Sequence, residues 1–552
     1  MKTSKSCEVA CAVKLRKADQ AAFIRAIDEE YRVHWIVDNL PVGMYSTLEN
    51  NHEISFVRGF PVGFHVGKKR ELKHYLYNHI RIIIQYHDDA DILYGTDITS
   101  KIVGFRVEPL SIKHTYDGDT FTPGATPLKT CGDLKDGDID TKDFQSVDKL
   151  DTVIFTYDVV WEKSTTEWSS RWDMYLTANQ PNDKVHWFSI TNSIMIVLFL
   201  TIMIAMILYR ALRKDIAQYN ESAPAVMEEA KEEVGWKMVH GDVFKPPATN
   251  PMLFCVFVGS GVQLGLMIIA TLTFCLLGLL SPAYRGSLVT ALIFIFVFMS
   301  SFAGYYSSKT YKMFKGIEWK SNTLCTAFLY PGAIFSIFFV LNLALWAEGS
   351  SGALPFSSFF TLLFLWFCVS VPLVFIGSFF GYKQEMPVFP VVNSKIARII
   401  PAQAWYMSPV ITCMLGGILP FGAVSVELFF IMSALWLHQI YYIFGFLFLV
   451  MIVLIITCAE VSILLCYFQL CNEDYHWWWR SFLTSGSCAA YMLLYSVWYN
   501  LTELDMSSFV PLMLYFGYMI AISFTAFLVT GTIGYFACFS FNYAIYSSIK
   551  VA

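Results

Sequence analysis

The sequence predicts a membrane protein in which an N-terminal, mainly-β domain precedes a bundle of nine transmembrane helices. Three observations lead to this fold class. Only 15% of the 552 residues are charged, whereas soluble domains carry about 25%. The first 186 residues are polar like an ordinary globular domain, and residues 187–552 are largely apolar. The apolar part divides into runs close to the ~20 residues needed to cross a bilayer. The small net charge of -5 gives no indication of nucleic-acid binding.

Residues 1–186 have the pattern of a mainly-β domain. Runs rich in β-branched and aromatic residues, such as 75–87 and 152–161, are bounded by Gly, Asp and Pro, which is typical of strands separated by turns. A β-sandwich-like arrangement fits this pattern. One early helix is predicted over residues 18–31, where Ala22, Ile24, Ile27 and Tyr31 roughly share a face. The aromatic side chains of residues 168–176 are suited to docking the domain on a membrane.

Nine apolar runs are long enough to span a bilayer. In chain order they cover residues 190–209, 254–280, 287–306, 323–347, 355–380, 402–423, 439–470, 481–499 and 508–544. Residues 424–437 are also apolar, but they follow the sixth run directly. They are interpreted as a luminal segment that lies at the membrane interface.

The placement of lysine and arginine predicts the orientation of the nine spans. Cytoplasmic loops carry an excess of these residues. In the short loops after residue 209, all but one fall on one side of the predicted membrane, and Arg285 is the exception. The N-terminal domain is therefore expected in the lumen. The C-terminus and the loop of residues 210–253 are expected in the cytosol.

Residues 472–486 read NEDYHWWWRSFLTSG and form a short polar interruption between two apolar runs. Tryptophan is enriched at the membrane–water boundary, which indicates an interfacial motif made of Tyr475, His476, Trp477, Trp478, Trp479 and Arg480. One interpretation is a belt of aromatic residues facing lipid. Because neighbouring residues on a helix are turned by about 100°, three successive indoles cannot all face lipid. We therefore expect at least one of them to pack inward.

These residues also carry a resemblance to a known family. The stretch NEDYHWWWRSFLTSG, together with GWKMVHGDVFKPP at residues 235–247 and TGTIGYFA from Thr530, resembles the transmembrane 9 superfamily, also called the nonaspanin or endomembrane protein 70 family. HWFSITNSIMIVLFL from His186, and DNLP, NHI and RWDMYL in the N-terminal domain, are similar as well. The resemblance runs from about Cys7 to Val551.

The resemblance implies a non-enzymatic protein of Golgi and endosome membranes that helps to sort or localise other membrane proteins. It also implies a signal peptide and a further luminal stretch before the present N-terminus, where the first 20 residues have no apolar core. Members of the family end in a lysine followed two residues later by an acid, which binds coat protein complex I. Here Lys550 matches and Ala552 does not, so we expect this sorting signal to be weakened.

Glu460 is a conspicuous ionisable residue inside the predicted spans. It lies about ten residues, or ~15 Å, from the end of its span and therefore near mid-bilayer. A carboxyl group there is costly unless it is protonated, hydrogen-bonded or exposed to a wet cavity. Gln263 and Asn342 are possible partners. Two interpretations remain open, namely a polar clamp between helices and a proton- or substrate-linked site of a transporter or channel.

Small residues mark faces where helices can approach closely. Gly261 and Gly265 form a G-x-x-x-G pair, and Gly531 with Gly534 adds a second small face. These faces hold the bundle together or receive helices of another membrane protein. The family resemblance implies the second role, with client proteins that have glycine-rich transmembrane helices.

The sequence gives no indication of catalysis, a metal site or a cofactor. It has no Gly-rich phosphate loop, zinc-ligand spacing or nucleophile elbow, and the pair His240 and Asp242 is too small to hold a metal. The acidic stretch 132–143 does not fit an EF-hand loop because Gly132 would occupy its first ligand position. Cys7 and Cys11 are suited to a mutual disulfide or to partners elsewhere, and Cys131 would then be the odd one.

Overall fold

The structure is a computed structural model of the full chain. It describes all residues except 1–2, 39, 48–53, 68–71, 91–97, 117–120, 122–125, 127, 129, 131–143, 149–151, 169–170, 173–182, 222–234, 281–286, 350–352, 392–393, 395–397, 437–442, 505–508 and 548–552. The chain forms two compact units. The first comprises Met1–Asn182, and the second contains the helices from Asp183 onward.

The first unit is rich in β-strands, as the sequence predicts. Its described part has one α-helix, α1 (Lys17–Asp28). The helix was predicted over residues 18–31, so it begins one residue earlier and ends three residues earlier than predicted. The strands of the described part are β1 (Lys5–Lys14), β2 (Arg32–Val33), β3 (Ile36–Val37), β4 (Leu40–Pro41), β5 (Gly43–Thr47), β6 (Ile54–Arg58), β7 (Phe60–Pro61), β8 (Gly63–Val66), β9 (Lys73–Leu76), β10 (His79–Ala90), β11 (Ile98–Leu110) and β12 (Thr152–Lys163).

A six-stranded mixed sheet organises this unit. Its strand order is β1-β12-β10-β11-β5-β6. The long strand β10 is central because it pairs antiparallel with β11 and parallel with β12. Strand pairs β2–β7, β3–β4 and β8–β9 add three two-stranded sheets.

Apolar side chains on both sides of the central strands form the cores of the first unit. Phe56, Phe105 and Val107 are fully buried in one cluster. A second cluster joins Ile27 of α1 to Val153 at the start of β12. The burial of an aliphatic or aromatic side chain of this size contributes about 1.5–3 kcal/mol, so the second cluster fixes α1 on the sheet.

The second unit contains nine long helices in its described part. They are α2 (Asp183–Glu221), α3 (Pro251–Leu276), α4 (Ser287–Met313), α5 (Trp319–Ala347), α6 (Phe356–Lys383), α7 (Pro409–Trp436), α8 (Ile443–Cys471), α9 (Trp477–Thr502) and α10 (Phe509–Ser547). Each of the nine predicted runs falls on one of them.

Eight of these described helices are long and apolar enough to cross a membrane. The other is α9, which has 26 residues but a more polar composition. Its Arg480, Ser485 and Ser496 are buried against other helices rather than facing lipid. The predicted nine spans therefore hold approximately, with α9 as a more polar helix whose buried polar side chains have partners in the protein.

The interpretation of residues 424–437 as an interfacial segment is wrong. The described part of this segment continues α7 without a break, and Pro420 lies inside the helix. Leu428 and Met432 of the segment are buried against Tyr499 of α9 and Met519 of α10. Helix-breaking residues are tolerated inside transmembrane helices when neighbouring helices surround them, and this packing is not visible in the sequence.

Glycines bring α4 and α6 into close backbone contact. A side chain at Gly377 would collide with the Ser301 carbonyl, and one at Gly381 with the Tyr305 carbonyl. On the other helix, a side chain at Gly304 would collide with the Val374 carbonyl. Gly377 and Gly381 form a G-x-x-x-G pair that the sequence analysis did not single out. Small residues of this kind allow helix association in lipid.

A tryptophan repairs the hydrogen bond that a proline removes from α5. Pro331 lies inside α5 and has no backbone N–H, so the carbonyl of Ala327 four residues earlier loses its partner. The indole Nε1 of Trp366 donates to that carbonyl at 3.0 Å. Trp366 begins a π-helical turn within α6, and such a turn re-aims the side chains around it.

We predict that Trp366→Phe lowers the thermal stability of the purified protein. The substitution keeps an aromatic ring but leaves the Ala327 carbonyl without a donor, which costs about 1–3 kcal/mol when the group is buried. Thermal unfolding in detergent is the measurement. Trp405→Phe, at a position that is 78% exposed, is the matched control. An equal change for both variants would contradict this role of Trp366.

Candidate functional site

The three consecutive tryptophans are anchored to one loop. They occupy the first turn of α9, and Trp477 and Trp478 are only 0% and 2% exposed. Their indole Nε1 atoms donate to the backbone carbonyls of Val243 (2.8 Å), Lys245 (2.7 Å) and Thr249 (2.8 Å), in the order of the sequence. The lipid-facing belt is thus wrong for at least two of the three indoles, which pack inward as helical geometry requires.

The loop of residues 235–249 is held from a second direction. The Tyr546 hydroxyl near the end of α10 donates to the Trp236 carbonyl at 2.8 Å, and the two rings meet edge to face at 5.6 Å. Gly235, where φ is +93°, lets the chain turn into the loop. We call the three tryptophans, residues 235–249 and Tyr546 the indole platform. It joins the starts or ends of α3, α9 and α10.

Arg480 forms a buried charged cluster beside the indole platform. It is 8% exposed, and its guanidinium donates to Asp474 at 2.8 Å, to Thr412 Oγ1 at 2.9 Å and to the Met407 carbonyl. Gln469 also donates to Asp474, at 3.1 Å. A buried ion pair needs such additional partners because desolvation opposes it. Arg480 therefore ties α9 to α7 and α8.

The remaining residues of the interfacial motif have structural contacts at the same end of the bundle. The Tyr475 hydroxyl donates to the Arg398 carbonyl at 3.4 Å. His476 is exposed, and its Nδ1 lies 3.5 Å from Asp474 Oδ1. Asp242 forms an ion pair with Lys245 and accepts a hydrogen bond from the backbone of Arg398 at 3.2 Å.

The described residues contain no group of three or more side chains that could hold a metal ion. His240 faces the Lys237 carbonyl through Nδ1 at 2.8 Å, and Asp242 is engaged as above. His240 and Asp242 therefore contribute to the hydrogen bonds and ion pairs that shape the loop of residues 235–249, which is a structural role.

The structure does not bring Glu460, Gln263 and Asn342 together. Gln263 donates to the Phe296 carbonyl of α4 at 2.9 Å. Asn342 joins the end of α5 to the following loop through two hydrogen bonds with Leu354. The carboxyl group of Glu460 instead meets the Thr201 hydroxyl of α2. That hydroxyl donates to the Val197 carbonyl at 2.9 Å, and Glu460 Oε2 is buried without a hydrogen-bond partner among the described residues.

A second intramembrane carboxyl group was missed by the sequence analysis. Glu427 lies in α7 and is 1% exposed. It accepts a hydrogen bond from the Ser193 hydroxyl of α2. Glu427 falls in the segment that was interpreted as interfacial, so its burial was not expected. Glu427 and Glu460 both face α2, whose Ser193 and Thr201 are eight residues, or about 12 Å, apart along the helix.

The candidate glycines separate into internal and open positions. A side chain at Gly261 would collide with Thr532 of α10, and side chains at Gly531 and Gly534 would collide with Phe482 and Ser485 of α9. These three glycines serve the packing of the bundle. Apart from the local backbone of α3, no heavy atom lies within 4 Å of the position that a Cβ would take at Gly265. Gly265 is thus free to face lipid or another molecule.

Comparison with known proteins identifies the family. The sequence matches the family described as Endomembrane protein 70 over residues 1–509. It is 50% identical to transmembrane 9 superfamily member 10 of Arabidopsis thaliana over 556 positions, which cover all of this chain and 85% of that protein. The chain belongs to the endomembrane protein 70 family.

Other members of the endomembrane protein 70 family are similar over comparable lengths. Transmembrane 9 superfamily member 2 of Rattus norvegicus is 44% identical, with 94% of this chain and 77% of that protein covered. Member 4 of Homo sapiens is 42% identical, with 100% and 85% covered. None of these three names is that of an enzyme, and no solved structure matches the chain. The resemblance seen in the sequence is confirmed, and the chain is a multi-pass membrane protein.

The structure separates the two cysteines that were considered as a pair. Cys7 is disulfide-bonded, whereas Cys11 has a free and exposed thiol, so a bridge between them is excluded. The physical reason is their position on one extended strand, β1. Four residues of strand span about 13 Å, whereas bridged Cα atoms lie 4.4–6.8 Å apart. Cys131, the acidic stretch 132–143 and Lys550 lie outside the described residues.

We predict that Trp478→Phe loosens the loop of residues 235–249. The variant keeps the ring but loses the N–H donor to Lys245, worth about 1–2 kcal/mol in a buried setting. Amide hydrogen exchange in the loop is expected to be roughly 5- to 30-fold faster, with α9 itself unchanged.

The matched control is Trp498→Phe, at an exposed position of the same helix. Equal exchange rates of the loop in the two variants would show that the indole N–H does not hold it.

Proposed function

We propose that this member of the endomembrane protein 70 family acts in the trafficking, sorting or membrane localisation of other membrane proteins, without enzymatic activity of its own. The observation that carries the proposal is the open glycine position on α3. Gly265 stands four residues from Gly261 on a helix that is otherwise packed against α4 and α10. The family membership is consistent with this role.

The physics of helix association in lipid supports a client site at Gly265. Lipid tails are as apolar as leucine side chains, so helices associate through close packing at small residues rather than through the hydrophobic effect. Gly261, Gly531 and Gly534 are already used inside the bundle, and Gly265 is the candidate glycine that remains available. A client helix with a glycine-rich face would approach α3 there.

The rigid end of the bundle supports a binding role for the rest of the molecule. The indole platform and the Arg480 cluster hold the ends of five helices, α3, α7, α8, α9 and α10, through hydrogen bonds. Helix faces held in this way keep a fixed shape, and a pre-formed surface loses less conformational entropy when a partner binds.

The location of the protein is part of the same proposal. We infer residence in Golgi and endosome membranes, with the β-domain in the lumen and the C-terminus in the cytosol, from the family membership and the lysine and arginine distribution. Coat protein complex I is the proposed cytosolic partner through Lys550.

A secondary transporter or channel is the second candidate function. The observation that favours it is the presence of two carboxyl groups, Glu427 and Glu460, on helices that face α2. Two cavities among the described residues, of about 440 and 570 Å³, are lined by other residues. The variants below separate the two candidate functions.

We predict that Gly265→Leu reduces the recovery of client membrane proteins with glycine-rich helices, while the variant itself stays folded. The expected reduction is about tenfold, equivalent to ~1.4 kcal/mol of lost packing. Co-purification from cells with quantitative mass spectrometry is the measurement. Folding is expected to persist because no atom of a neighbouring helix lies within 4 Å of the new Cβ.

Two controls make this experiment specific. Gly422→Leu on α7 is the matched control, since its Cβ position is also open, and it is expected to leave recovery unchanged. Gly261→Leu is expected to prevent folding. Normal client recovery by a folded Gly265→Leu variant would contradict the client face. If Glu460→Gln alone then abolished ion flux in proteoliposomes, the transporter would be the better candidate.

We predict that a tag after Ala552 is digested by protease added to sealed microsomes, while the β-domain yields a protected fragment. The lysine and arginine excess on one side of the spans is the physical reason. Digestion after detergent permeabilisation, which should remove both, is the control. A protected tag in sealed microsomes would overturn the proposed orientation.

A further inference from the structure

The β-domain contains two buried histidines that are joined by one threonine hydroxyl. His79 begins β10 and is 0% exposed, and His114 lies in the segment after β11 and is 9% exposed. Thr156 Oγ1 of β12 is 2.8 Å from His79 Nδ1 and 2.9 Å from His114 Nε2. The outer nitrogens continue the chain of contacts, since His114 Nδ1 is 2.9 Å from Thr130 Oγ1 and His79 Nε2 is 3.3 Å from Asp158 Oδ2.

When both imidazoles are neutral, the donors in this chain point in one direction. Asp158 is an acceptor, so His79 carries its proton on Nε2 and accepts from Thr156 through Nδ1. The Thr156 hydroxyl has one hydrogen, so it must accept from His114 Nε2. His114 Nδ1 then accepts from Thr130. We call Thr130, His114, Thr156, His79 and Asp158 the histidine relay. In this arrangement both imidazoles are neutral, and the His114 ring lies between two uncharged hydroxyls.

Charged groups around the histidine relay come from the strands packed on it. Asp158 accepts from the backbone N–H of Cys7 on β1 at 2.6 Å. It also lies 3.5 Å from the guanidinium of Arg81 on β10, which pairs with Glu108 of β11 at 3.5 Å. Asp158 is therefore already compensated by other partners. His114 has no carboxylate among these neighbours, and the charged group nearest to it in the relay is the Asp158 beyond His79.

The segment that the relay holds has a defined hinge. Asn78 fixes Ile112 through two hydrogen bonds, one in each direction, at 2.8 and 2.9 Å. His114, two residues further on, is held to the sheet by Thr156 and to the neighbouring segment by Thr130. Loss of the relay would therefore release residues 113–116, while Ile112 stays in place.

We propose that the histidine relay is an acid-operated latch, which holds residues 113–116 against the sheet at neutral pH and releases them when the surroundings become acidic. Protonation of His79 alone leaves these contacts in place, because the Thr156 hydroxyl can then donate to His114 Nε2 while His114 Nδ1–H donates to Thr130. Protonation of His114 places a charge in a buried position. A use for the latch in an acidic lumen rests on the proposed location, whereas the latch itself does not.

The direction of the pH effect follows from the burial of the two imidazoles. Desolvation lowers the pKa of His114 to about 4, with a further contribution from the neighbouring His79. Desolvation also lowers the pKa of His79, against the attraction of Asp158. A histidine whose pKa is lower in the closed state stabilises that state, and this stabilisation is complete at pH values above the ordinary pKa near 6.5. That contribution is lost as the pH falls from 6.5 toward 4.

We expect the latch to open measurably between pH 7 and pH 5. If His114 titrates near 6.5 when released and near 4 when held, linkage gives a loss of roughly 20-fold in the closing equilibrium over this interval. Hydrogen exchange of the full chain in lipid nanodiscs, corrected for the intrinsic rate at each pH, measures this as a fall in protection of residues 113–116. The protection of β10 should change little.

Three variants complete the test. In His114→Gln, a non-titrating amide replaces the imidazole, and the pH dependence is expected to shrink to less than threefold. The same substitution at the exposed His65 of β8 is the matched control and should retain the full effect. Thr156→Val removes the bridging hydroxyl and should show low protection already at pH 7.

The wild-type protein alone can overturn the proposal. Equal protection of residues 113–116 at pH 7 and pH 5 would do so, even where a variant does not fold. An undiminished pH effect in folded His114→Gln would do so as well. Because these measurements use purified protein, a failure of the proposed sorting function would leave their outcome unchanged.

Discussion

A buried hydrogen-bonding group without a partner costs more free energy than most single contacts return, and in lipid there is no water to supply one. The first turn of α9 illustrates how the chain meets this constraint. Three adjacent indole N–H groups find three carbonyls in one loop. The loop backbone thereby gains partners in a place where it forms no strand or long helix. The ends of α3 and α10 are positioned by the same contacts, so the arrangement of this end of the bundle depends on them.

The same constraint explains features in other helices. Pro331 removes a donor from α5, and Trp366 of α6 replaces it. Arg480 is buried only because Asp474, Thr412 and a backbone carbonyl surround its guanidinium. In each case a polar side chain completes a hydrogen bond between two helices or a helix and a loop. These contacts also fix which helices are neighbours, which apolar packing alone leaves less specific.

Close packing and polar pairing divide the bundle into regions with different roles. Glycines hold α4 against α6 and α9 against α10, and these regions have no room for another molecule. The carboxyl groups of Glu427 and Glu460 instead face hydroxyls of α2. In the β-domain, a polar core at His79 and His114 replaces apolar packing between β12 and the segment after β11. The sorting proposal depends on Gly265, a glycine that helix packing leaves open. The acid latch depends on the buried histidines of the β-domain.

The amino-acid sequence by itself determined the two-part architecture, the family and the approximate bounds of nine helices, because bilayer thickness imposes a length and a composition that can be counted. It also located the β10 and β12 runs from their β-branched residues. Residue spacing could not decide which side chains meet across helices. The burial of Glu427, the free thiol of Cys11, the separate partners of Gln263 and Asn342, and the difference between Gly261 and Gly265 were decided by the tertiary structure. The physical reason is that a polar or small side chain acquires its role from the atoms opposite to it, and in this chain those atoms lie on other helices or strands far away in sequence.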